Sequence, residues 1–454
     1  MDFAELVGRQ RAYFLSGATR GLSFRLAMLR KLQSALRQGE PRLNEALKKD
    51  MNKCPTEVYM TELGLVLDEI RYHIRHLPRW VKDRTVPTPL AQFYARSFVS
   101  PEPYGVALIM SPWNYPVQLC LEPLIGAISA GCTAVVKPSA YAPATSKALA
   151  EILWDAFPSE YIAVVEGGRA ENASLLEQRY DYIFFTGSPD VGRLVMESAA
   201  KHLTPTTLEL GGKSPVIVDE TANIPVAARR IAFGKVLNAG QTCVEPDYLF
   251  IHEKVKPAFI EAYRSALSGF FPNGDMSDMN VIINDRHFQR VSALLASGKA
   301  VVGGGTDPAR RFIEPALLDE VDPDSPIMRE EIFGPILPIL TYRDLRECVQ
   351  YIQGHPRPLA LYLFTSSPEA ERLILGTCSF GGGCINDTVI HLATPHMGFG
   401  GVGASGMGSY HGKLSFDTFT HHRSIVKKAT WIDLPIRYRP YSAIRDRLLR
   451  LFLK

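Results

Sequence analysis

Four short runs of apolar residues, separated by stretches with helical spacing, constrain the fold of this chain most strongly. The runs cover residues 105–110, 133–136, 161–165 and 182–185. The helical stretches cover residues 117–130, 144–156 and 191–201. Apolar strands that alternate with helices are typical of a parallel sheet that is buried on both faces. Because crossovers between parallel strands are right-handed, we predict a doubly wound α/β layer.

Two further regions flank this series. Residues 214–218 and 249–251 have the composition of strands and residues 224–237 that of a helix, so a second α/β region follows the first. In the first 80 residues, leucines recur every three or four positions and indicate one apolar helix face, at Leu22, Leu26, Leu29, Leu32 and Leu36. Residues 93–100 alternate weakly and predict an extended strand.

Charge and cysteine content exclude several classes of protein. The 454 residues include 50 basic and 47 acidic ones, and a net charge of +3 gives no electrostatic argument for nucleic acid. The seven cysteines form no CxxC pair, so we expect neither a disulfide framework nor a metal site. No signal peptide and no apolar run of about 18 residues is present. We therefore expect a soluble cytoplasmic protein without a membrane span.

Two glycine-rich stretches differ in their context. The G-x-G-x-x-G pattern at Gly398, Gly400 and Gly403 follows no strand, so we interpret it as a glycine-rich turn. Residues 185–192 lie between a strand and a helix, where Gly187 permits a tight turn and the helix N-terminus offers N–H groups to a phosphate. This stretch either binds a dinucleotide or is an ordinary helix start.

Cys243 is the strongest candidate for a catalytic residue. It follows a turn of small residues, 238–242, at the end of a predicted helix. The alternative is one more buried cysteine, whereas a catalytic cysteine would be a nucleophile with a lowered pKa. A thiolate can attack an aldehyde carbon, and the hemithioacetal can lose a hydride to a nicotinamide to leave a thioester.

Hydrolysis of that thioester needs a base. Glu209 follows a predicted strand and precedes the Gly211–Gly212 turn, which suits a base that activates water. The alternative is a solvated Glu on an edge strand. Asn114, between two prolines after the first strand, is a candidate donor to the oxyanion together with the N–H of Cys243. The alternative for Asn114 is a simple turn.

Six motifs in this order resemble the aldehyde dehydrogenase superfamily along essentially the whole chain. They are residues 112–116, 137–139, 185–188, 209–213, 240–243 and 331–335. The segments around Cys243 and over 399–412 resemble class 3, the fatty and aromatic aldehyde dehydrogenases. The resemblance implies a Rossmann-like cofactor domain, an α/β catalytic domain and a small β bridging element. Their expected ranges are 1–81 with 102–210, 211–418, and 82–101 with 419–454.

The same resemblance implies a role for each matching residue. Cys243 is the nucleophile, Glu209 the base and Asn114 the oxyanion donor. The implied cofactor-binding residues are Trp113, Lys137, Ser139, Gly187, Ser188, Gly192, Leu210, Gly211, Glu331 and Phe333. Tyr115, Phe233 and Leu237 imply an apolar substrate tunnel for medium-chain aliphatic or aromatic aldehydes. Asn386 matches an asparagine near the active site, and class 3 enzymes are typically homodimers.

Ala140 departs from the family pattern. A glutamate that binds the adenosine ribose often stands at this position, and it would repel a 2′-phosphate. With Ala140 both the repulsion and a hydrogen bond are lost, so we expect NAD or NADP to serve.

Three alternatives stay open at this point. Transfer of the acyl group to CoA would replace hydrolysis, although Glu209 argues against it. A non-catalytic protein that kept the fold is disfavoured by the intact Cys243, Glu209 and Asn114. The basic tail either lies weakly on a membrane surface or packs on the protein with its basic side outward. Its charged and apolar residues are Arg437, Arg439, Arg445, Arg447, Leu448, Leu449, Arg450, Leu451, Phe452 and Lys454.

Overall fold

The computed structural model describes residues 2–452, so Lys454 of the basic tail lies outside the described residues. The α-helices are α1 (Phe3–Leu15), α2 (Leu22–Met51), α3 (Pro55–Val58), α4 (Gly64–Trp80), α5 (Gln118–Ala130), α6 (Pro143–Ala156), α7 (Arg169–Leu176), α8 (Pro189–Ala200), α9 (Ile224–Val236), α10 (Lys256–Phe270), α11 (Asp285–Ala293), α12 (Pro326–Arg329), α13 (Leu345–Gln353), α14 (Pro368–Thr377), α15 (Lys413–Thr418) and α16 (Ala443–Phe452). The strands are β1 (Arg84–Val86), β2 (Ala95–Pro103), β3 (Val106–Met110), β4 (Thr133–Lys137), β5 (Ile162–Val164), β6 (Tyr182–Thr186), β7 (Thr206–Glu209), β8 (Pro215–Val218), β9 (Tyr248–His252), β10 (Lys299–Val302), β11 (Thr306–Asp307), β12 (Phe312–Ile313), β13 (Ala316–Asp319), β14 (Ile336–Tyr342), β15 (Ala360–Phe364), β16 (Gly382–Ile385), β17 (Gly406–Met407) and β18 (Thr420–Lys428).

The first sheet contains all four strands predicted from the apolar runs. Its order is β17-β7-β6-β3-β4-β5, and every pair except β17–β7 is parallel. The chain runs from β3 outward to β4 and β5 and then crosses back to β6. The carboxyl ends of β3 and β6 therefore form a topological switch point, where ligands bind in such sheets. The predicted parallel α/β fold is confirmed.

Burial on both faces explains the apolar runs. Every residue of β3, β4 and β6 is buried, and so is every residue of α5, which connects β3 to β4. The leucine stripe lies on α2, where Leu29, Leu32 and Leu36 are fully buried. Leu22 and Leu26 are half-buried and pack at the margin of the core.

The second sheet follows in the chain and supplies the other half of the site. Its order is β10-β13-β14-β9-β8-β15-β16, and only the β10–β13 pair is antiparallel. The predicted strands at 214–218 and 249–251 are β8 and β9, and the helix predicted between them is α9. The end of α9 leads directly to Cys243.

A third, antiparallel sheet of β1, β2 and β18 contains the predicted extended stretch, which is β2. The tail ends in α16, where Leu448 and Leu449 face Leu90 and Phe93. Ile444 of the same helix is 76% exposed. None of the helices within residues 2–452 has both the length and the apolar content needed to cross a bilayer.

Candidate active site

Cys243 follows a strained loop at the end of α9. The chain turns through the 3₁₀ segment Leu237–Gly240, in which Asn238 and Ala239 both have a φ of 52°. Non-glycine residues in this left-handed region cost about 1–3 kcal/mol each and persist where their surroundings hold them. Here the amide Nδ2 of Asn238 donates to the carbonyl of Asn114 over 2.8 Å. The loop before the thiol is therefore tied to the loop that follows β3.

The surroundings of the Cys243 sulfur do not activate it by themselves. Burial raises the pKa of this thiol, and the carboxylates of Glu331 and Glu209 raise it further. The main-chain N–H groups of Cys243 and Val244 act in the opposite direction but do not outweigh these effects. The expectation of a lowered pKa is thus wrong for the protein's own groups, because desolvation and two nearby carboxylates both disfavour a thiolate.

Glu209 has a carboxyl group that is buried at the end of a strand of the first sheet. As the last residue of β7 it pairs with Thr186 of β6 on one side and Gly406 of β17 on the other. Its side chain is 2% exposed, and neither carboxylate oxygen has a hydrogen-bond partner among the described residues. Burial raises its pKa well above the ordinary value. The alternative of a solvated edge residue is wrong, because β17 covers that edge of β7.

The glycine-rich stretch, interpreted from the sequence as a turn, contains the 3₁₀ segment Gly403–Ser405 and a short strand, and it has a structural role that the sequence analysis missed. Phe399 and Tyr410 pair across it, and residues 406–407 form β17. Gly406 has a φ of 144°, and a Cβ at this position would clash with the carbonyl of Leu208. Only glycine therefore allows this segment, which lies in the range expected for the catalytic domain, to pack against the strand that carries Glu209.

Asn114 joins the loops around the thiol. It is 3% exposed, and its Nδ2 donates to the carbonyl of Gln241 over 3.1 Å. The amide carries a second hydrogen that this bond does not use. Asn114, Glu209 and Cys243 line the same cavity, so the fold brings together the three residues predicted to be catalytic.

Cys243 also lines a second cavity, a narrow tunnel of about 150 Å³. All three predicted tunnel residues, Tyr115, Phe233 and Leu237, are in its wall. The wall is otherwise mostly apolar and is completed by Met60, Thr61, Leu65, Gln118, Leu119, Thr242, Val389, Ile390, Leu392, Ala393, Phe399, Tyr410 and His411. Cys243 thus lies at the junction of two cavities.

The sequence analysis did not predict most of these wall residues, because they come from segments that are far apart in the chain. Met60 and Thr61 belong to a π-helical turn, Tyr59–Leu63, between α3 and α4. Such turns are rare and occur mostly at functional sites, but no sequence pattern announced this one. For Tyr410 and His411 the sequence did contain a signal of their location, since they directly follow the glycine-rich stretch. Asn386 caps main-chain groups of Thr365 with its side chain and contacts neither cavity.

A buried ion pair supports the aromatic wall of the tunnel. The Tyr115 hydroxyl lies 2.7 Å from Oγ1 of Thr242, the neighbour of Cys243. Behind the ring, Nζ of Lys53 lies 4.3 Å from the ring centroid and 2.7 Å from a carboxylate oxygen of Glu62. Both charged side chains are fully buried. Breaking such a pair leaves an uncompensated buried charge, so both side chains are costly to remove, and the ammonium group of Lys53 packs on the Tyr115 ring.

The first cavity is a cleft of about 410 Å³ at the switch point of the first sheet. Seven of the predicted cofactor residues line it: Trp113, Gly187, Ser188, Leu210, Gly211, Glu331 and Phe333. Gly192 lies behind this wall, where a Cβ would press into the side chain of Leu210. His287 and Arg290 also line the cleft and were missed.

Lys137 and Ser139 lie apart from the residues that line this cleft. The ammonium group of Lys137 donates to the carbonyls of Gly167 and Pro138, over 2.6 Å and 2.8 Å. The Ser139 hydroxyl accepts from the N–H of Tyr141 over 3.3 Å. Both residues lie at the carboxyl end of β4, next to β3 in the same sheet.

The phosphate end of the cleft fits a dinucleotide. Ser188 caps the 12-residue helix α8, whose first N–H groups point out of the helix. A Cβ at Gly187 would clash with the ring of Phe185, so the close packing of the chain on this ring requires glycine. A helix N-terminus that opens on a switch point is a ready site for a pyrophosphate.

The other end of the cleft fits a ribose and an aromatic ring. Glu331 accepts a hydrogen bond from the N–H of Gly212 over 3.2 Å, and a Cβ at Gly211 would clash with its carboxylate. Burial raises the pKa of Glu331 to about 8, with a further contribution from Asp247. The Phe333 ring lies 5.4 Å from that of Trp113, edge to face. A carboxyl group suits ribose hydroxyls, and the aromatic pair offers an apolar wall.

Because the carboxyl group of Glu209 is buried, we expect the folded protein to become more stable when this group is replaced. A folded-state pKa above the unfolded value means that folding becomes less favourable as pH rises past the unfolded value. Glu209→Gln should therefore raise the melting temperature at neutral pH by about 1–4 °C. Thermal unfolding of both proteins at acidic and neutral pH measures this, and the difference should shrink in acid. An unchanged or lower melting temperature at neutral pH would contradict the unpaired, buried carboxyl.

Comparison with known proteins identifies close relatives. Residues 4–425 match the model of the Aldehyde dehydrogenase family. The chain is 47% identical over 448 residues to the 4,4'-diaponeurosporen-aldehyde dehydrogenase of Staphylococcus aureus, covering 98% of this chain and 97% of that protein. It is 41% identical to the dimeric NADP-preferring aldehyde dehydrogenase of Rattus norvegicus, covering 94% and 95%. Among solved structures, a substrate-bound Staphylococcus aureus AldH matches with a TM-score of 0.97 at 46% identity, covering 99% of each chain.

Proposed function

Since this chain belongs to the aldehyde dehydrogenase family and is an oxidoreductase that acts on aldehydes, we propose that it oxidises apolar aldehydes to carboxylic acids with NAD or NADP through a thioester on Cys243. One observation carries the proposal. The thiol of Cys243 lies where an apolar tunnel meets a cleft that fits a dinucleotide. An aldehyde in the tunnel and a nicotinamide in the cleft would approach the same sulfur from two sides.

In the first step the Cys243 thiol gives up its proton to water, its sulfur adds to the aldehyde carbon, and the carbonyl oxygen takes the negative charge. The free N–H of the Asn114 amide and the main-chain N–H of Cys243 are the proposed donors to this oxygen. Donors that are held in place before the reaction need no rearrangement, and the bond from Asn114 to Gln241 holds this amide. A nicotinamide bound in the cleft would accept the hydride that leaves the carbon.

Hydrolysis of the resulting thioester is the proposed function of Glu209. Its carboxylate takes a proton from a water molecule, and the oxygen of that water attacks the thioester carbon and releases Cys243 as a thiolate. The thiolate then takes the proton back from Glu209. A raised pKa limits the share of the basic form near neutral pH but makes that form a stronger base. Glu331 and Phe333 would hold the nicotinamide end of the cofactor, and Ser188 and Gly187 its pyrophosphate.

The tunnel supports an apolar substrate. Phe233, Leu237, Leu119 and Ile390 contribute apolar walls, and no Lys or Arg within residues 2–452 lines the tunnel. The His411 side chain in this wall already faces Glu122 at 3.1 Å. A charged carboxylate on the substrate would therefore find no unpaired cation among the described lining residues, and medium-chain aliphatic or aromatic aldehydes are the proposed class. The relative from Staphylococcus aureus is likewise named for an aldehyde.

Formation of NAD(P)H with a panel of aldehydes, with and without CoA, tests the proposal. We expect turnover with benzaldehyde and with medium-chain alkanals in the absence of CoA, and a carboxylic acid as product. Turnover that requires CoA would show acyl transfer instead of hydrolysis. Absence of turnover with any aldehyde and either cofactor would contradict the function.

Cofactor choice is predicted by Ala140, which is exposed at the end of β4. Alanine neither accepts a hydrogen bond from a ribose hydroxyl nor repels a 2′-phosphate. We therefore expect kcat/KM values for NAD and NADP within roughly 30-fold of each other, about 2 kcal/mol. The relative from Rattus norvegicus is named as NADP-preferring. Steady-state kinetics with both cofactors measure the ratio.

Two substitutions at this position separate charge from shape. Ala140→Glu should shift the preference toward NAD by repelling the 2′-phosphate, whereas Ala140→Gln has the same size without the charge and should shift it less. A wild type that accepts only NAD would show that another residue reads the 2′ position. If Ala140→Glu had the same preference between NAD and NADP as the wild type, the conclusion would again be that another residue reads the 2′ position.

Assembly and location complete the proposal. We also propose the domain ranges given above, assembly as a homodimer and a cytoplasmic location. All seven cysteines are free thiols, which supports a reducing compartment. The outer edge of β18 has no partner strand within residues 2–452, and a second copy would cover it. The exposed Ile444 and the arginines of α16 are consistent with weak association with a membrane surface.

A further inference from the structure

His411 has an unusual backbone conformation in the wall of the tunnel. Its φ is 80°, in the left-handed region, although it carries a large side chain. It is 5% exposed and lines the same cavity as Cys243. Such a conformation persists only where surrounding contacts over-determine it.

Two acidic side chains from two helices supply these contacts. Nε2 of His411 lies 3.1 Å from Oε2 of Glu122 on α5, at ion-pair distance but without the geometry of a hydrogen bond, and both side chains are at most 5% exposed. The next N–H, of Gly412, donates to Oε1 of Glu69 on α4 over 2.6 Å. Gln118 in turn donates to the other oxygen of Glu122 over 3.3 Å. The turn after the glycine-rich stretch is therefore held by buried carboxylates.

The residue before His411 connects this turn to the reaction site. Tyr410 is 1% exposed and lines both the tunnel and the cleft. Glu209 and Cys243 line the cleft together with this ring. Their charges contribute to the raised pKa of the Tyr410 phenol, after burial and Glu122. A movement of the His411 turn would therefore move the wall where the two cavities meet.

The geometry points to His411 and Glu122 as a positioning pair: their buried contact holds the 410–412 turn, and when the contact is broken the tunnel binds aldehydes more weakly. Neither residue need touch the reacting atoms. The inference rests on the proposed function, because it takes the tunnel to be the aldehyde site.

The charges that face His411 give the pair a pH dependence. Burial lowers the pKa of His411, but Glu122 and then Glu69 raise it, and the net shift is upward. The imidazole of His391 also faces it, and burial together with the charge of His411 lowers the pKa of His391 to about 4. His73 shares Glu69, at 3.0 Å. A raised folded-state pKa means that the stabilising charge is present below the unfolded value and is lost as pH rises through the folded value.

Direct binding of benzaldehyde to the Cys243→Ala protein tests the pair without turnover. We expect the Kd to be constant around neutral pH and to rise about tenfold, 1.4 kcal/mol, as the pH becomes alkaline. Glu122→Gln should move the midpoint of this rise to lower pH, because it removes the strongest cause of the raised pKa. His411→Gln should bind weakly at every pH and show no such rise.

His391→Gln is the matched control, since this imidazole is close to the tunnel but already neutral. It should keep both the affinity and the midpoint. A midpoint that Glu122→Gln leaves in place, or a rise that survives in His411→Gln, would overturn the inference. If His411→Gln does not fold, the inference is tested by Glu122→Gln alone, through the pH midpoint of its rise in Kd. Failure of the proposed function would appear instead as absence of oxidation by the wild type, which this binding measurement does not use.

Discussion

Cys243→Ala should abolish aldehyde oxidation, to about a percent of wild-type turnover or less. The sulfur forms the covalent bond on which both later steps depend, and alanine offers no nucleophile. Among the described thiols, only that of Cys243 lines both the tunnel and the cleft. Steady-state NAD(P)H formation measures the loss, and circular dichroism with thermal unfolding shows that the variant is folded.

Cys384→Ala is the matched control for this loss. Cys384 is also a half-buried free thiol, but it lies outside both cavities, next to His391 at 3.7 Å. This variant should keep activity close to the wild-type value. Turnover of several percent in Cys243→Ala, or a comparable loss in Cys384→Ala, would show that another thiol is the nucleophile.

Glu209→Gln should lower steady-state turnover by about 10²–10⁴-fold, the usual contribution of a positioned general base. Formation of the thioester does not use this carboxylate, so the first burst of NAD(P)H should survive. Rapid mixing of enzyme with aldehyde and cofactor separates the burst from the slow phase. The burst is the internal control, since it reports an intact Cys243 and an intact cleft in the same sample.

The pH profile gives a second readout of the same substitution. The raised pKa of Glu209 means that its basic form appears only above the ordinary carboxyl range. Wild-type turnover should therefore rise with pH through that raised value, and Glu209→Gln should lose this rise. A burst that disappears while a preformed acyl-enzyme hydrolyses at the normal rate would assign Glu209 to the first step instead.

The three candidate catalytic residues could be predicted because each follows a local element that is readable in one segment. Asn114 follows an apolar run and Cys243 follows a predicted helix, whereas Glu209 ends a strand before two glycines. Carboxyl ends of parallel strands meet at one edge of a sheet, so two such residues are expected to meet. The resemblance to a family then assigned roles that local patterns had left open.

Other features of the site could not be predicted from single segments. Met60 reaches the tunnel from a π-helical turn, and His411 from a segment far along the chain. The pKa of Cys243 was expected to be lowered, but it is raised because burial and carboxylates from other segments surround the sulfur. Desolvation depends on what packs against a group from every side, and that is a property of the whole fold.

By itself the sequence determined the α/β layers and the candidates for the thiol, the base and the oxyanion donor, because apolar periodicity and short motifs act over a few neighbouring residues. Only the tertiary structure decided that β17 covers the edge beside Glu209, that Lys53 and Glu62 support Tyr115, and that His411 rests on Glu122. Apart from Lys53 and Glu62, which are nine positions apart, these contacts join residues that are tens to hundreds of positions apart. No local pattern encodes them, since their energy arises only when burial removes water from both partners at once.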